Sequence, residues 1–403
     1  MTANKTYKDI SAKCKTCGKD FTITVKEQKY FKSRDFKLPK NCPSCRKARR
    51  KIQKLKETEE RERQKAIEQE RKKKKWQEDE EKLEKILKTT SLEQISVEDI
   101  SFKNPSKTLV VIGNGFDIMH GVKSSYWDFQ KTIGKRSSLR FYMEMYLDTV
   151  DLWSNLEESL GKLNYSMFLN SDIIDMWLDD YGAYDPDAQA ADFFAAVEDA
   201  IAPTFAIPGD LNKKFRKWIK SLRLETEDRP FSMFHGDYKV LCFNYTEFIE
   251  DLYHVKKENI CYIHGCRKGN EKLILGHKPG MEEEQWDKVE LKPFKFKNPY
   301  KRYIMESALE TAAREAAWYD ESTTKNSRDI IKKHKAFFEK LSDVEEVYVI
   351  GHSLSEVDYL YFEKVKEMCN AKWYIGFHSL DDMKRLQIFV DRMDLDEIAI
   401  FRT

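Results

Sequence analysis

Two pairs of cysteines near the N-terminus have the residue type and the spacing of a metal site. Cys14 and Cys17 form one Cys-x-x-Cys pair, and Cys42 and Cys45 form the other. Four thiolates on two such pairs are typical ligands of a tetrahedral structural Zn²⁺. The segment between the pairs is too short to bury a core, so the metal must supply most of its folding free energy. We therefore predict a small zinc ribbon with four cysteine ligands over residues 1–47.

A second set of polar residues follows short apolar runs further along the chain. Each run has the continuously apolar, β-branched composition of a buried strand. The runs and the residues after them are Leu109–Ile112 before Gly113, Asn114, Gly115 and Asp117; Tyr238–Phe243 before Asn244 and Thr246; Ile260–Ile263 before His264 and Gly265; and Val347–Ile350 before Gly351, Ser353 and Asp358. Glycine-rich turns between a strand and a helix often hold phosphates, and ligands of open α/β sheets lie at the carboxyl ends of strands. We predict that these residues line one cleft for a phosphate-bearing ligand.

The elements that must position these residues alternate along the chain. Helical stretches such as 126–149 and 153–180 separate the predicted strands, and two further strand-like runs, Trp373 to Phe377 and Ile398 to Phe401, lie near the end. Strands that alternate with helices favour a sheet whose strands run parallel. The sequence therefore predicts a doubly wound, mostly parallel α/β domain with helical insertions over residues 91–403.

Residues 48–90, between the predicted ribbon and the predicted sheet, are dominated by Lys, Arg, Glu and Gln and contain no Pro or Gly. Pairs of opposite charge four residues apart, such as Glu68 with Lys72, favour a solvated helix. The sparse apolar residues do not sustain a heptad repeat, so we do not expect a stable coiled coil, although self-association through this helix stays open. The basic run at 71–76 could contact nucleic acid or could form a solvated face.

Bulk composition narrows the classes of protein further. The 403 residues include 71 Lys or Arg and 69 Asp or Glu, for a formal net charge of +2. No run approaches the ~20 apolar residues that a membrane span needs, and the first residues lack the apolar centre of a secretory signal. We expect a cytoplasmic protein without a membrane partner, whose cysteines are reduced or bound to metal.

The motifs around the predicted cleft resemble those of a known family. IGNGFDIMHGVKSSYWDF, LWSNLEESL, LCFNYTEFIEDLY, YIHG, LILGHK and YVIGHSLSEVDYLYF are similar to the AbiH family of bacterial phage abortive-infection proteins, over about residues 108–378. The pattern CKTCGKDF…CPSCR is similar to bacterial zinc ribbons that bind nucleic acid or protein partners or simply fold. These resemblances imply a phage-defence protein in which the ribbon and the helix form the sensing or assembly arm.

The AbiH family is in turn similar in layout to the sirtuin-like NAD-binding fold, which implies NAD⁺ as the ligand. The residues that this resemblance assigns are Gly113, Asn114 and Gly115 for the diphosphate, Asn244 for the nicotinamide pocket, His264 as the base, and Gly351 and Ser353 for adenosine. If NAD⁺ is the ligand, Asp117 or Asp358 could bind ribose hydroxyls. The chain departs from the sirtuin pattern because Asn114 replaces an alanine, Thr246 replaces an acid, and no paired cysteines follow Gly265. The resemblance therefore implies hydrolysis of NAD⁺ rather than protein deacylation.

Cleavage of the nicotinamide–ribose bond passes through an oxocarbenium-like state, so the cleft needs a base and a group that orients water or sugar. Asn244 could hold the water or the ribose hydroxyls, and His264 could accept the proton. His120 and Glu157, from the motifs HGVKSSY and LWSNLEESL, are further candidates.

Two other functions remain open at this point. The run VYVIGHSLS is similar to the strand–turn–helix elbow of α/β hydrolases, with Ser353 as nucleophile and His378 as a candidate partner, although Ser355 replaces the last glycine. The ribbon and the basic helix could instead belong to a nucleic-acid sensor, or to a nuclease whose acidic and His residues hold Mg²⁺.

Overall fold

The computed structural model describes residues 8–34, 36–225, 229–281, 288–289, 294 and 296–403. The first seven residues, which the predicted zinc ribbon included, lie outside this described part. The chain forms two compact units, Met1–Glu84 and Lys85–Thr403. No helix within the described ranges is both long and apolar enough to cross a membrane.

The first unit contains a hairpin, a short helix and most of a long helix, whose last residues belong to the second unit. Its elements are β1 (Ile10–Lys13), β2 (Asp20–Ile23), α1 (Val25–Ser33) and α2 (Pro43–Thr89). β1 and β2 pair in the antiparallel direction. A capping box starts α1, because the Thr24 side chain accepts from the Glu27 N–H and the Glu27 side chain accepts from the Thr24 N–H. The long charged helix that the sequence predicted is confirmed as α2.

A seven-stranded sheet forms the centre of the second unit. Its strands are β3 (Glu93–Ile95), β4 (Thr108–Ile112), β5 (Lys239–Cys242), β6 (Ile260–Tyr262), β7 (Glu346–Ile350), β8 (Lys372–Phe377) and β9 (Ile398–Arg402). They are ordered β3-β9-β8-β7-β4-β5-β6, and every neighbouring pair is parallel. The chain builds outward from β4 to β6, then crosses back to β7 on the other side of β4. The predicted doubly wound α/β fold is confirmed, and its switch point lies between β4 and β7.

The two central strands, β4 and β7, are mostly apolar. All five residues of β4 and all five of β7 are buried, as expected of central parallel strands that are covered on both faces. On one face Val110, Tyr348 and Phe102 share a core with other aromatic residues. β3 was not predicted from the sequence, since its three residues contain a single apolar side chain and carry no strand pattern.

Helices on both sides of the sheet fill the connections between strands. Those between β4 and β5 are α3 (Asn114–Met119), α4 (Tyr126–Ile133), α5 (Ser138–Tyr146), α6 (Leu156–Leu160), α7 (Ser166–Leu169), α8 (Ser171–Asp180), α9 (Ala190–Ala200) and α10 (Ala202–Ser221). The later ones are α11 (Phe248–Tyr253), α12 (Pro299–Thr323), α13 (Ser327–Lys333), α14 (Lys335–Glu339), α15 (Tyr359–Met368) and α16 (Leu380–Met393).

The helical insertion after β4 has its own core, to which α12 contributes. Phe129, Phe193, Phe215 and Tyr319 are fully buried in it. The helix predicted over 126–149 is in fact divided into α4 and α5, because Gly134 has a φ of +79°, which ends a helix and which glycine adopts without penalty. The stretch predicted over 153–180 is likewise divided into α6, α7 and α8. This insertion forms the second wall of the cleft described below.

Candidate functional site

The four N-terminal cysteines converge as the sequence predicted. Cys14 and Cys17 lie in the turn between β1 and β2, and Cys42 and Cys45 lie at the beginning of α2. Their Sγ atoms are all within 4.8 Å of one another, with 3.7 Å between those of Cys17 and Cys42. Thiolates around Zn²⁺ at about 2.3 Å are separated by roughly 3.8 Å, so this donor set fits a tetrahedral zinc ion. Gly18, with a φ of +71°, closes the first turn.

A cleft of about 640 Å³ opens at the carboxyl ends of the central strands of the second unit. Loops after β4, β5, β6 and β7 form one wall, and residues of the helical insertion, including Trp153 and Phe215, form the other. Ten residues that the sequence placed at the strand ends line it: Gly113, Asn114, Gly115, Asp117, Asn244, Thr246, His264, Gly351, Ser353 and Asp358. Gly265, which the sequence also placed there, is not among the lining residues. The cleft lies at the switch point of the sheet, where α/β proteins of this strand order bind nucleotides.

The glycines at the bottom of the cleft allow the turn after β4 and the loop after β7 to pack closely. A Cβ on Gly113 or Gly115 would lie 2.7 Å from backbone atoms of the loop after β7, and a Cβ on Gly351 would lie 2.1 Å from the Phe116 nitrogen. The N–H groups of Gly113, Gly115 and Phe116 already donate to the carbonyls of Ile350, Gly351 and Gly113. These glycines therefore permit close backbone packing, and the three amides are engaged with protein acceptors.

Asp117 organises the polar residues beside this turn. It is 2% exposed, and it accepts from Asn244 Nδ2 at 2.7 Å and from Thr246 Oγ1 at 2.5 Å. Burial raises the pKa of the Asp117 carboxyl to about 7, although both hydrogen bonds act in the opposite direction. Because the amide of Asn244 donates to Asp117, its Oδ1 is left buried without a hydrogen-bond partner among the described residues.

His264 is the second cleft residue with an unsatisfied atom. The ring is 2% exposed, and its Nε2 has no hydrogen-bond partner among the described residues. The nearest carboxylate oxygen to this nitrogen, Asp358 Oδ1, lies 3.8 Å away. Burial has the largest effect on the pKa of His264 and the Lys325 ammonium the next largest, and together they hold it well below its ordinary value although Asp358 acts in the opposite direction. The ring is therefore neutral at pH 7.

A buried lysine that the sequence analysis missed connects the acidic residues of the cleft. Lys325 Nζ donates to Glu157 Oε2 and, at 3.2 Å, to Asp358 Oδ1, and the lysine side chain is fully buried. Burial by itself lowers the pKa of a lysine, but the two carboxylates hold that of Lys325 above its ordinary value. Burial raises the pKa of Asp358, but Lys325 and then His352 hold it well below its usual range. No motif surrounds Lys325 in the sequence, so only the fold identifies it.

His352 supports the same carboxylate from the loop after β7. The Leu354 N–H donates to His352 Nδ1 at 2.9 Å, so the ring proton resides on Nε2. That nitrogen lies 3.4 Å from Asp358 Oδ2 and donates to it. Leu354 has a φ of +51°, an uncommon conformation for a branched residue, which the packing of this loop maintains. Asp358 is thus held from two sides.

Two family models match the chain. The family described as "Bacteriophage abortive infection AbiH" matches residues 109–377, and one described as "Probable treble clef domain" matches residues 8–54. The chain belongs to the AbiH family. Membership implies a role in abortive infection of bacteriophage, and the treble-clef match agrees with a zinc site on a hairpin and a helix N-terminus. No curated protein and no solved structure matches this AbiH chain.

The two further residues that the sequence proposed for the cleft chemistry, His120 and Glu157, lie in different surroundings. His120 is fully buried outside the cleft, where Nδ1 contacts the Phe116 carbonyl and Nε2 contacts Tyr253 Oη. Glu157 lines the cleft and accepts from Tyr126 Oη at 2.9 Å as well as from Lys325. Burial raises the pKa of Glu157, and Lys325 acts against this.

The geometry around Ser353 differs from that of a hydrolase elbow. Ser353 is exposed, and the non-glycine residue with a positive φ in this loop is Leu354. His378 Nδ1 is 2.9 Å from the Thr403 carbonyl, and no hydrogen bond joins Ser353 to a histidine among the described residues. Among all residues that the structure describes, the four N-terminal cysteines are the one group of three or more His, Cys, Asp or Glu side chains placed to hold a metal ion. Neither the serine-hydrolase nor the nuclease alternative gains support from this arrangement.

Proposed function

We propose that the cleft binds NAD⁺ or a closely related nucleotide and hydrolyses its nicotinamide–ribose bond during phage infection. The observation that carries the proposal is a pair of buried, unpartnered polar atoms, Asn244 Oδ1 and His264 Nε2, in a cleft at the switch point of a doubly wound sheet. Buried polar atoms without partners are costly in a folded protein, and they indicate a site that a ligand completes. A cavity of about 640 Å³ is within the usual range for a small-molecule site.

A third unpartnered atom adds to the polar surface of the same cleft. Ser124 is 5% exposed, and its Oγ has no hydrogen-bond partner among the described residues. It lies beside the glycine turn, since Asn114 Nδ2 donates to the Ser124 carbonyl at 2.9 Å. Because the amides of Gly113 and Gly115 already have acceptors, we assign part of the phosphate or ribose contact to the Ser124 hydroxyl.

The residues account for each step of the proposed hydrolysis. The bond from ribose C1′ to the nicotinamide nitrogen breaks with its electron pair on nitrogen, which releases neutral nicotinamide and leaves an oxocarbenium-like sugar. Asn244 Oδ1 accepts a hydrogen bond from the attacking water or a ribose hydroxyl. The water adds to C1′ and loses its proton to His264 Nε2, which is neutral and therefore available as a base. The charge that His264 gains lies 3.8 Å from the ionised Asp358.

Cellular NAD⁺ during phage infection tests the proposal, because an abortive-infection effector is expected to act only once triggered. Cells with the wild-type chain, Asn244→Ala, His264→Ala or the control His235→Ala are infected and their NAD⁺ and free nicotinamide are quantified. His235 is exposed and lies outside the cleft. We expect NAD⁺ to fall and nicotinamide to rise in wild type and in the control only, at matched protein levels. Constant NAD⁺ in wild type, together with protection that both cleft variants abolish, would refute NAD⁺ hydrolysis.

A further inference from the structure

The N-terminal unit carries a strongly basic surface that the proposed hydrolase does not use. Residues 8–54 contain 16 Lys or Arg and four Asp or Glu. Zn²⁺ with four thiolates has a charge of −2, so the module has a net charge of about +10 when loaded. From Pro43 to Lys56, the beginning of α2 contains seven Lys or Arg and no acidic residue. A concentration of positive charge on one small module is typical of proteins that bind nucleic-acid phosphates.

Four of these cations form a stripe along one face of α2. Lys47, Arg50, Lys51 and Lys54 follow the i, i+3, i+4, i+7 spacing of a helix face, and all four side chains are exposed. No ion pair joins them to a described residue, whereas the neighbouring Arg46 is bound to Glu27 at 3.2 Å. At 1.5 Å per residue the stripe is about 10 Å long, which is the length of two or three phosphates of a nucleic-acid strand.

Exposed aromatic rings lie on the same module. Arg46 contacts both Glu27 and the Phe31 ring, so α1 packs beside the start of α2. Next to Phe31 on α1, the Tyr30 ring is 55% exposed, and the Arg34 guanidinium lies 6.0 Å from its centre. Unstacked bases bind to such rings in any sequence, whereas the bases of a duplex are not available for this contact.

We propose that the treble-clef module and the first turns of α2 bind single-stranded nucleic acid without sequence preference. The stripe of Lys47, Arg50, Lys51 and Lys54 contacts phosphates, and Tyr30 stacks on a base. This activity is separate from the cleft, since every residue that carries it belongs to the first unit. Single strands that arise during phage replication are a chemical signal that such a surface can detect.

The test measures binding of the full-length, zinc-loaded chain to a fluorescent oligo-dT at several salt concentrations. In one variant the four stripe residues are changed to Gln. A matched control changes four exposed lysines of the second unit, Lys332, Lys333, Lys335 and Lys340, to Gln, which alters the net charge equally. Each phosphate contact with a single strand contributes about −0.7 to the slope of log K against log salt, so loss of two or three contacts should make it shallower by about 2. The control should retain the wild-type slope.

Tyr30→Ala separates stacking from charge. We expect it to weaken oligo-dT binding at least tenfold while the salt slope stays as in wild type, because a base–ring contact releases no counterions. Equal loss of affinity in the stripe variant and in the lysine control would overturn the proposal, since net charge alone would then explain binding. Binding to anionic phosphatidylserine vesicles but not to oligo-dT would overturn it as well. Zinc content and far-UV circular dichroism confirm that each variant is folded.

Discussion

Replacement of Lys325 by Met provides the sharpest test of the charge arrangement in the cleft. The substitution keeps the length of the side chain but removes the ammonium that lies between Glu157 and Asp358. The Glu157 and Asp358 side chains, which lose their partner, are only 19% and 11% exposed, so water compensates little for the loss. Removing one member of a buried ion pair typically costs about 3–5 kcal/mol, because a buried charge is left unpaired. We expect a loss of this size in the free energy of unfolding at pH 7.

The loss should depend on pH in a direction that the pKa shifts determine. In the wild type Lys325 holds the pKa of Asp358 below its unfolded value, so Asp358 stabilises the fold above that value and ceases to do so as the pH falls. In Lys325→Met the ammonium no longer opposes burial, and we expect the pKa of Asp358 to rise above its unfolded value although His352 still lowers it. The variant therefore binds a proton on folding and gains stability as the pH falls from 7 to 5. The difference in the free energy of unfolding between wild type and Lys325→Met should be largest near neutral pH and smaller at pH 5.

Urea unfolding followed by tryptophan fluorescence measures the effect, since seven of the eight tryptophans belong to residues 85–403. The triple variant Lys325→Met, Glu157→Gln, Asp358→Asn serves as the matched control, because it removes both unpaired charges and should recover most of the stability. A loss below about 1 kcal/mol at pH 7, typical of an exposed ion pair, would refute the arrangement described here. So would a loss that is unchanged at pH 5.

Three further results are expected. Gly351→Ala should destabilise the second unit by well over the ~1–2 kcal/mol that the left-handed conformation costs an alanine, because its Cβ would also lie 2.1 Å from the Phe116 nitrogen. Gly280 has a φ of +86° and open space around it, so Gly280→Ala should show the conformational cost alone in the same urea titration. Removal of zinc by a chelator, or Cys14→Ser, should make residues 8–54 sensitive to protease while the second unit keeps its urea midpoint. Metal analysis should find one zinc per wild-type chain, and an unchanged digestion pattern would contradict a structural zinc. His264→Gln should flatten the acid side of the stability profile, since a buried His with a lowered pKa costs up to about 1.4 kcal/mol per pH unit below ~6.5; equal slopes in both proteins would show that His264 is protonated without penalty.

Local sequence determined those features of this protein that depend on neighbours in the chain. The spacing of Cys14 with Cys17 and of Cys42 with Cys45 suffices for a zinc site, because each pair places two thiolates on one turn. Continuous β-branched runs predicted the central strands, since parallel strands buried on both faces need no alternation. The carboxyl ends of parallel strands meet at one edge, and so the sequence also predicted which loops line the cleft.

Only the tertiary structure decided how the cleft residues interact. Lys325 lies 168 positions from Glu157 in the sequence and 33 from Asp358, and no local pattern marks a lysine whose partners come from separate elements. The glycine turn had the composition of a phosphate site, yet the loop after β7 packs against it, and the amides of Gly113 and Gly115 donate to the carbonyls of Ile350 and Gly351. Burial, unlike spacing, is a property of the assembled core. It sets the pKa of His264 and leaves Asn244 Oδ1 unpartnered, so the chemistry of this cleft is determined by packing that no short segment encodes.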